Sequence, residues 1–217
     1  MTETQNPTDI PRPKFARMYM RNSGTAERRG GAEHRRLMLA GLEGTVVEVG
    51  AGSGLNFSHY PPTVTEVIAV EPEPTLRGAA ETAAARVGVP IRVIAGVAEA
   101  LPVADGSMDA AIASLVLCSV PDQGQALSEI DRVLRPGGEL RFYEHVIPTT
   151  QPKRALLQIA DHSRVWPLIA GGCHPARDTV AAIQRAGFEI QSSRRIMFSA
   201  SRLEPTIPVV IGTARKP

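Results

Sequence analysis

The chain has 217 residues, a formal net charge of +2 and only 4% aromatic residues. This length suits one α/β domain with a complete hydrophobic core. The small net charge and the scarcity of aromatic side chains argue against a nucleic-acid partner. The two cysteines follow no zinc-site or disulfide spacing, and no apolar run is long enough to span a membrane. We therefore expect a cytoplasmic protein with no metal site and no integral membrane contact.

Basic residues crowd the first 36 positions of the chain. We predict that residues 1–24 form a flexible N-terminal segment that serves as a lid, and that residues 25–217 form a single domain. The alternative is that the basic residues only cover a solvated helix face, which is the usual place for such a charge run. A helix is predicted over 25–41, where Gly41 ends it.

Short β-branched runs alternate with helical stretches along the rest of the chain. Strands are predicted at 45–49, 64–70, 91–95, 109–116, 139–143, 188–198 and 208–214, and helices at 75–87, 125–134, 152–170 and 177–186. Such alternation predicts the α/β class, with a mostly parallel sheet and helices on both of its faces. The last two strands have no long helix between them. They are therefore predicted to be antiparallel neighbours, one of them inserted beside the fifth strand.

The first of these strands runs directly into a loop that contains Gly50, Gly52 and Gly54. Glycines allow a tight turn and a close approach of the backbone to a ligand. Leu55 occupies the position where a dinucleotide-binding loop needs its third glycine. Glu48 would repel a pyrophosphate, but it could hold the amino group of a methionine moiety, directly or through water. The loop therefore favours a ligand other than a dinucleotide.

Three further positions complete this predicted site. Glu71 ends the second strand, where a carboxylate can accept hydrogen bonds from both hydroxyls of a ribose; the alternative is a surface turn acid. The backbone groups of Val97 and Ala98, after the third strand, are candidates for the edge of an adenine. Leu115 and Val116 follow the fourth strand and could form the pocket floor, although core packing explains Val116 equally well.

At these residues the chain resembles the class I methyltransferases that depend on S-adenosylmethionine (AdoMet). The matching motifs are Glu48-Val49-Gly50-Ala51-Gly52-Ser53-Gly54, Glu71, Ala98-Glu99-Ala100-Leu101-Pro102, Asp109, and the run from Glu129 to Gly138. The resemblance implies AdoMet as cofactor and a Rossmann-like three-layer sandwich. Its seven-stranded, mostly parallel sheet would have the order 3-2-1-4-5-7-6, with an antiparallel last strand. The predicted cofactor-binding residues are Glu48, Gly50, Ala51, Gly52, Gly54, Asn56, Glu71, Pro72, Val97, Ala98, Glu99, Leu115 and Val116.

A narrower resemblance points to the mammalian alkyl thiol S-methyltransferases. It is carried by Leu115-Val116-Leu117-Cys118-Ser119-Val120, Glu144-His145-Val146, Trp166, Gly172-Cys173 and Arg177. It implies a small-molecule thiol as the methyl acceptor. The mammalian proteins carry an apolar N-terminal membrane segment where this chain is basic, and His174 stands where an asparagine is expected. Quinone-ring C-methyltransferases share the same cofactor signature, so a quinone or phenol C- or O-methyltransferase remains an alternative.

Methyl transfer from a sulfonium is an in-line displacement, and positioning alone can contribute ~7–11 kcal/mol to it. A thiol of pKa ~8.5 is already partly ionised near neutral pH, so it needs little help from a base. His145, which follows the fifth strand at the carboxyl edge of the sheet, is the first candidate base. His174, next to Cys173, is the second. For each of them, an ordinary hydrogen-bonded histidine is the alternative.

Two other classes of function stay open. An NAD(P)-dependent oxidoreductase of the short-chain type needs Tyr-x-x-x-Lys, but the three tyrosines are followed four places on by Ser23, Val64 and Ile147. A non-catalytic AdoMet-binding protein would keep the same glycine loop and acidic residues. The sequence does not predict an oligomeric state.

Overall fold

The computed structural model describes residues 8–148, 151, 154–155, 172–174, 176–200 and 206–217. Its helices are α1 (Pro13–Ala26), α2 (Ala32–Leu39), α3 (Pro74–Ala84), α4 (Gln123–Val133) and α5 (Thr179–Arg185). Its strands are β1 (Gly44–Val49), β2 (Val64–Val70), β3 (Ile91–Ile94), β4 (Met108–Ser114), β5 (Leu134–His145), β6 (Glu189–Phe198) and β7 (Ile207–Arg215). Of the predicted helix at 152–170, only residues 154–155 are among the described residues. Trp166 lies outside them. Within the described ranges, none of the helices combines the length and the hydrophobicity needed to cross a membrane.

The strands form one seven-stranded sheet of order β3-β2-β1-β4-β5-β7-β6. The pairs among β1 to β5 are parallel, whereas β7 pairs antiparallel with both β5 and β6. This confirms the predicted Rossmann-like α/β fold and the insertion of the last strand beside the fifth. Because the first five strands are parallel, the loops that follow β1, β2, β3 and β4 all emerge at one edge of the sheet.

The hydrophobic core lies on both faces of the sheet. Successive residues of a strand point to opposite faces, so Val47 packs with residues of α4 and α5, while Val46 packs with residues of α2 and α3. Both valines are fully buried. The central strands are therefore covered on both sides, which explains their nearly continuous apolar sequence.

The N-terminal helix begins at Pro13 rather than at residue 25, so the predicted helix start is wrong. Proline is well suited to the first turn of a helix, because its fixed φ matches the helix and its missing N–H is not needed there. The helical path is interrupted at Glu27–Gly31, where Gly30 has a φ of 124°. Basic residues alternate with the apolar residues of α1, and only Ala16 of this helix is fully buried. The movement of residues 1–24 as a lid stays a prediction.

Candidate functional site

A cavity opens at the carboxyl edge of the sheet, beside the ends of β1, β2, β3 and β4. Its walls include most of the predicted cofactor-binding residues, namely Gly50, Gly52, Glu71, Pro72, Val97, Ala98, Glu99, Leu115 and Val116. The N-terminal segment covers the cavity with Ile10, Arg12, Phe15 and Tyr19. The backbone amide of Ile10 donates a hydrogen bond to the carbonyl of Pro72, which fixes this segment to the tip of β2.

The loop after β1 has a backbone conformation that favours glycine. Gly50, Gly52 and Gly54 have φ values of 65°, 59° and 80°. A Cβ atom on Gly50 would lie 2.5 Å from a methyl carbon of Val116, and one on Gly52 would lie 3.0 Å from the hydroxyl of Tyr19. Gly50 and Gly52 therefore leave bare backbone at the cavity wall, where a ligand can approach closely.

Glu71 is held at the tip of β2 by backbone donors on both of its oxygens. Oε2 accepts a hydrogen bond from the amide of Gly52 at 2.7 Å, and Oε1 accepts one from the amide of Glu73 at 2.9 Å. Burial raises the pKa of this carboxyl. An ionised carboxylate offers about four lone-pair sites, so Glu71 retains acceptor capacity at the cavity wall. This is the chemistry that the two hydroxyls of a ribose require.

Glu48 lies beneath the glycine loop and does not reach the cavity wall. It is 1% exposed, and its two oxygens accept hydrogen bonds from Asn56 Nδ2 at 2.8 Å and from the Tyr60 hydroxyl at 2.6 Å. Burial raises the pKa of Glu48 to about 7. Ala51 and Gly54 likewise do not line the cavity. Glu48 and Asn56 thus brace the loop from below, and their direct contact with a ligand stays a prediction.

Arg35, on α2, joins this network to the cavity and was not identified from the sequence. Its Nη1 donates hydrogen bonds to Asn56 Oδ1 at 2.8 Å and to Ser114 Oγ at 2.9 Å, and its Nε pairs with Glu27 at 3.0 Å. The side chain is buried yet lines the cavity. It places a positive charge beside the loop, suited to a ligand carboxylate. No local motif separates Arg35 from the other arginines of the N-terminal stretch.

The cavity floor is a turn in which Leu115 has a φ of 58°, the only positive value of a non-glycine residue in the described part of the chain. Glu144, on β5, is fully buried beneath it. The carboxylate of Glu144 accepts hydrogen bonds from the backbone amides of Val116 and Leu117, both at 2.9 Å, and of Cys118 at 3.1 Å. Three donors on one carboxylate hold the turn in this uncommon conformation. The sequence contains Glu144 only as part of a resemblance motif, with no signal for this role.

The two predicted catalytic histidines lie behind this turn and are not among the residues that line the cavity. Nδ1 of His145 is 3.3 Å from the sulfur of Cys173 and 3.7 Å from that of Cys118. The backbone amide of His174 donates a hydrogen bond to the carbonyl of Cys118 at 2.7 Å. A role for either histidine as a base stays a prediction. The side chains of Cys118, His145 and Cys173 meet here. The expectation of no metal site rests on sequence spacing alone, and that spacing does not reveal their meeting.

The residues of the cavity fit AdoMet. The bare glycine backbone, the fixed carboxylate of Glu71 and the apolar floor at Leu115 and Val116 provide places for a nucleoside with an amino-acid tail. Arg35 adds a cation for the carboxylate of that tail. The cavity thus offers polar contacts for the ribose and the tail and apolar contacts for the base, a usual combination in cofactor sites.

Comparison with known proteins agrees with this assignment. A sequence model of the methyltransferase domain family matches residues 47–142. A solved structure of a SAM-dependent methyltransferase from Thermotoga maritima, described as a possible histamine N-methyltransferase, superimposes with a TM-score of 0.70. It is 23% identical in sequence, and the match covers 94% of this chain and 97% of that one. At this identity the likeness shows the fold alone.

Curated relatives extend the match beyond the family domain. The thiol S-methyltransferase TMT1B of Rattus norvegicus is 38% identical over 156 residues, which cover 69% of this chain and 62% of that protein. The human thiol S-methyltransferase TMT1A is 36% identical over 150 residues, covering 66% of this chain and 59% of that protein. The chain thus spans about three-fifths of the length of these relatives. The chain belongs to the S-adenosylmethionine-dependent methyltransferases, and AdoMet is the cofactor of this family.

Proposed function

We propose that this protein transfers the methyl group of AdoMet to the sulfur of a small-molecule thiol. The observation that carries this proposal is the convergence of the motifs shared with the thiol S-methyltransferases. Arg177 donates hydrogen bonds to the carbonyls of Leu117 at 3.0 Å and Val120 at 2.7 Å, and Glu144 binds the amides of the same turn. Segments far apart in sequence therefore build one wall of the cofactor cavity.

Bound AdoMet supplies an electrophilic methyl group on a sulfonium. The chain itself has to bind the cofactor, align the acceptor and keep water away. Glu71 and the glycine loop provide the binding contacts. Glu144 fixes the floor at Leu115 and Val116, and Tyr19 covers the loop from the solvent side. Such positioning can contribute ~7–11 kcal/mol to a displacement of this kind.

Among the described residues that line the cavity, none is a histidine or a lysine, and a thiol acceptor suits such a wall. A thiol of pKa ~8.5 is partly ionised at neutral pH, whereas a phenol or an alcohol needs more assistance. Glu144 is a poor base for this purpose, because three backbone amides already occupy its oxygens. Deprotonation by His145 or His174 stays a prediction.

The test is a turnover screen with thiols, phenols, quinols and amines, read out as S-adenosylhomocysteine release and as the mass of the methylated product. We expect thioethers from alkyl thiols and no comparable product from the other classes. Product from a phenol, a quinol or an amine alone would replace thiol S-methylation with that reaction. Tight binding of S-adenosylhomocysteine without turnover of any class would identify a non-catalytic AdoMet-binding protein, and binding of NAD instead would support an oxidoreductase.

A Glu71→Ala variant is the matched control for the screen. The substitution weakens cofactor binding, and it changes none of the motif residues shared with the thiol S-methyltransferases. We expect its turnover to fall at low AdoMet concentration and to recover partly at high concentration. Turnover that is identical in the two proteins at all AdoMet concentrations would show that the measured reaction does not come from this cavity.

A further inference from the structure

Three side chains that can ligate a metal ion meet behind the wall of the cofactor cavity. Cys118 lies in the turn after β4, His145 ends β5, and Cys173 lies in the stretch before α5. Their ligand atoms all lie within 4.8 Å of one another. Both sulfurs and the histidine Nδ1 therefore face a common point. Buried cysteines often act only as small apolar residues, but that role does not require a histidine nitrogen turned toward both sulfurs.

The spacing of the three atoms matches a tetrahedral zinc site. Zinc binds cysteine sulfur at about 2.3 Å and histidine nitrogen at about 2.0–2.1 Å, so tetrahedral angles require about 3.8 Å between two sulfurs and about 3.6 Å between sulfur and nitrogen. The two sulfurs here are 3.7 Å apart. Nδ1 of His145 is 3.7 Å from one sulfur and 3.3 Å from the other. An ion fits among them with shifts of a few tenths of an ångström.

We propose that Cys118, His145 and Cys173 bind one thiophilic metal ion, with Zn²⁺ as the expected ion. Two thiolates and one neutral imidazole balance the charge of a divalent cation. This neutrality matters because both cysteines are buried, and an unbalanced charge is costly there. Glu144 accepts the amide hydrogen of Cys118 and so fixes the backbone of this ligand.

Three protein ligands leave one position of a tetrahedral ion for water or another small ligand, as in catalytic zinc sites. The sulfur of Cys118 lies 3.5 Å from the hydroxyl of Ser119, and Ser119 lines the cofactor cavity. The metal would therefore lie directly behind the cavity wall. In this assignment His145 is a ligand and not a base. The assignment rests on the protein's own ligands and does not depend on the identity of the methyl acceptor.

The test uses the reduced 217-residue chain, loaded with Zn²⁺ or Co²⁺ and then desalted, in the absence of AdoMet and of any acceptor. We expect one equivalent of zinc by elemental analysis. The cobalt form should show a thiolate-to-cobalt charge-transfer band together with the intense visible bands of a tetrahedral site. Failure to retain either metal, or the weak spectrum of a six-coordinate cobalt ion, would overturn the proposal.

Single substitutions identify the ligands. Cys118→Ser, Cys173→Ser and His145→Asn should each weaken metal binding more than about 100-fold, since loss of even an outer-shell partner costs about 10–100-fold. His59→Asn is the matched control, because His59 lies in a short helical turn outside the cluster. Equal metal binding by His145→Asn and His59→Asn would remove His145 from the site and overturn the proposal.

A measurement on the unmodified chain guards against variants that do not fold. Bound Zn²⁺ should slow the alkylation of both cysteines at least about tenfold, since the metal-bound thiolate is no longer free to attack. Labelling at the same rate with and without Zn²⁺ would contradict the proposal. A Cys118–Cys173 disulfide that survives the reducing treatment would also contradict the proposal, since it would remove both sulfur ligands. Because methyl transfer is assayed separately, a failed metal site leaves thiol S-methylation intact, and the reverse also holds.

Discussion

The carboxylate of Glu71 accepts a hydrogen bond from the backbone amide of Gly52 at 2.7 Å. This contact ties the tip of β2 to the glycine loop after β1, two segments that touch the cofactor cavity from neighbouring strands. The glycine loop therefore cannot shift without disturbing the carboxylate, and a ligand that uses one of them meets the other at a fixed place.

Replacing Glu71 with alanine should weaken the binding of S-adenosylhomocysteine by ~1–3 kcal/mol, because the cavity then loses its charged acceptor for the ribose. Isothermal titration measures this loss. Glu81→Ala is the matched control, since Glu81 lies exposed on α3, the helix that follows the loop after β2. Unchanged affinity of the Glu71 variant would exclude Glu71 from the cofactor site.

Replacing Gly50 with alanine should damage both stability and cofactor binding. The positive φ costs about 1–2 kcal/mol for a residue with a side chain, and the new methyl group would lie 2.5 Å from Val116. Gly41→Ala is the control, since Gly41 has a φ of 70° and nothing within 4 Å of its added Cβ. Chemical unfolding should show a loss in both variants, and titration should show a loss of affinity only in Gly50→Ala. Equal effects of the two variants on affinity would contradict the close packing of the loop.

Glu48→Gln should change how stability depends on pH. Burial raises the pKa of Glu48 from 4.5 to about 7, so the folded state holds this proton more tightly than the unfolded state. The stability contributed by the protonated carboxyl is fully present below about pH 4.5 and is lost as the pH rises toward 7, by up to about 3 kcal/mol. Glutamine has no such titration. Relative to the native chain, the variant should therefore gain unfolding free energy between pH 5 and pH 8.

Urea unfolding at several pH values measures this difference. Taking the variant relative to the native chain cancels the contributions of Glu71 and Glu144, whose pKa values burial also raises. A difference that stays constant from pH 5 to pH 8 would show that Glu48 has an ordinary pKa. The carboxyl group of Glu48, beneath the glycine loop, would then be ionised throughout this range.

Tyr19→Ala should speed the release of S-adenosylhomocysteine about tenfold, because Tyr19 lines the cavity and covers Gly52 from α1. Effects of this kind fall mainly on the dissociation rate. Stopped-flow displacement measures that rate. Met20→Ala is the control, since Met20 is the next residue of the same helix and is 38% exposed. Equal dissociation rates in the two variants would count against a covering role for α1.

The sequence predicted the sheet and the cofactor loop because both depend on local patterns. Apolar, mostly β-branched runs identified β1 and β2. The position of Glu71 directly after β2 identified it as a candidate cofactor-binding residue. The sheet order came from a family resemblance. Arg35 was missed because its role depends on partners from three separate segments, at Glu27, Asn56 and Ser114, which no local pattern connects.

Two other features were missed for different physical reasons. Helix α1 mixes basic and apolar residues, and its contacts with the cavity through Phe15 and Tyr19 depend on the folded sheet edge. Cys118 and His145 are 27 residues apart in sequence but follow or end neighbouring parallel strands. The predicted sheet order alone could have indicated that these two residues lie close together. The position of Cys173 depends on a long connection and could not have been inferred from the sequence.

A crystal structure of the complex with S-adenosylhomocysteine tests the central claim most directly. We predict the ribose hydroxyls on the carboxylate of Glu71, the amino-acid tail along Gly50 and Gly52, and the adenine beside Val97 and Ala98. Density for the nucleoside elsewhere on the protein, or an empty cavity in a crystal grown at saturating ligand, would contradict the account.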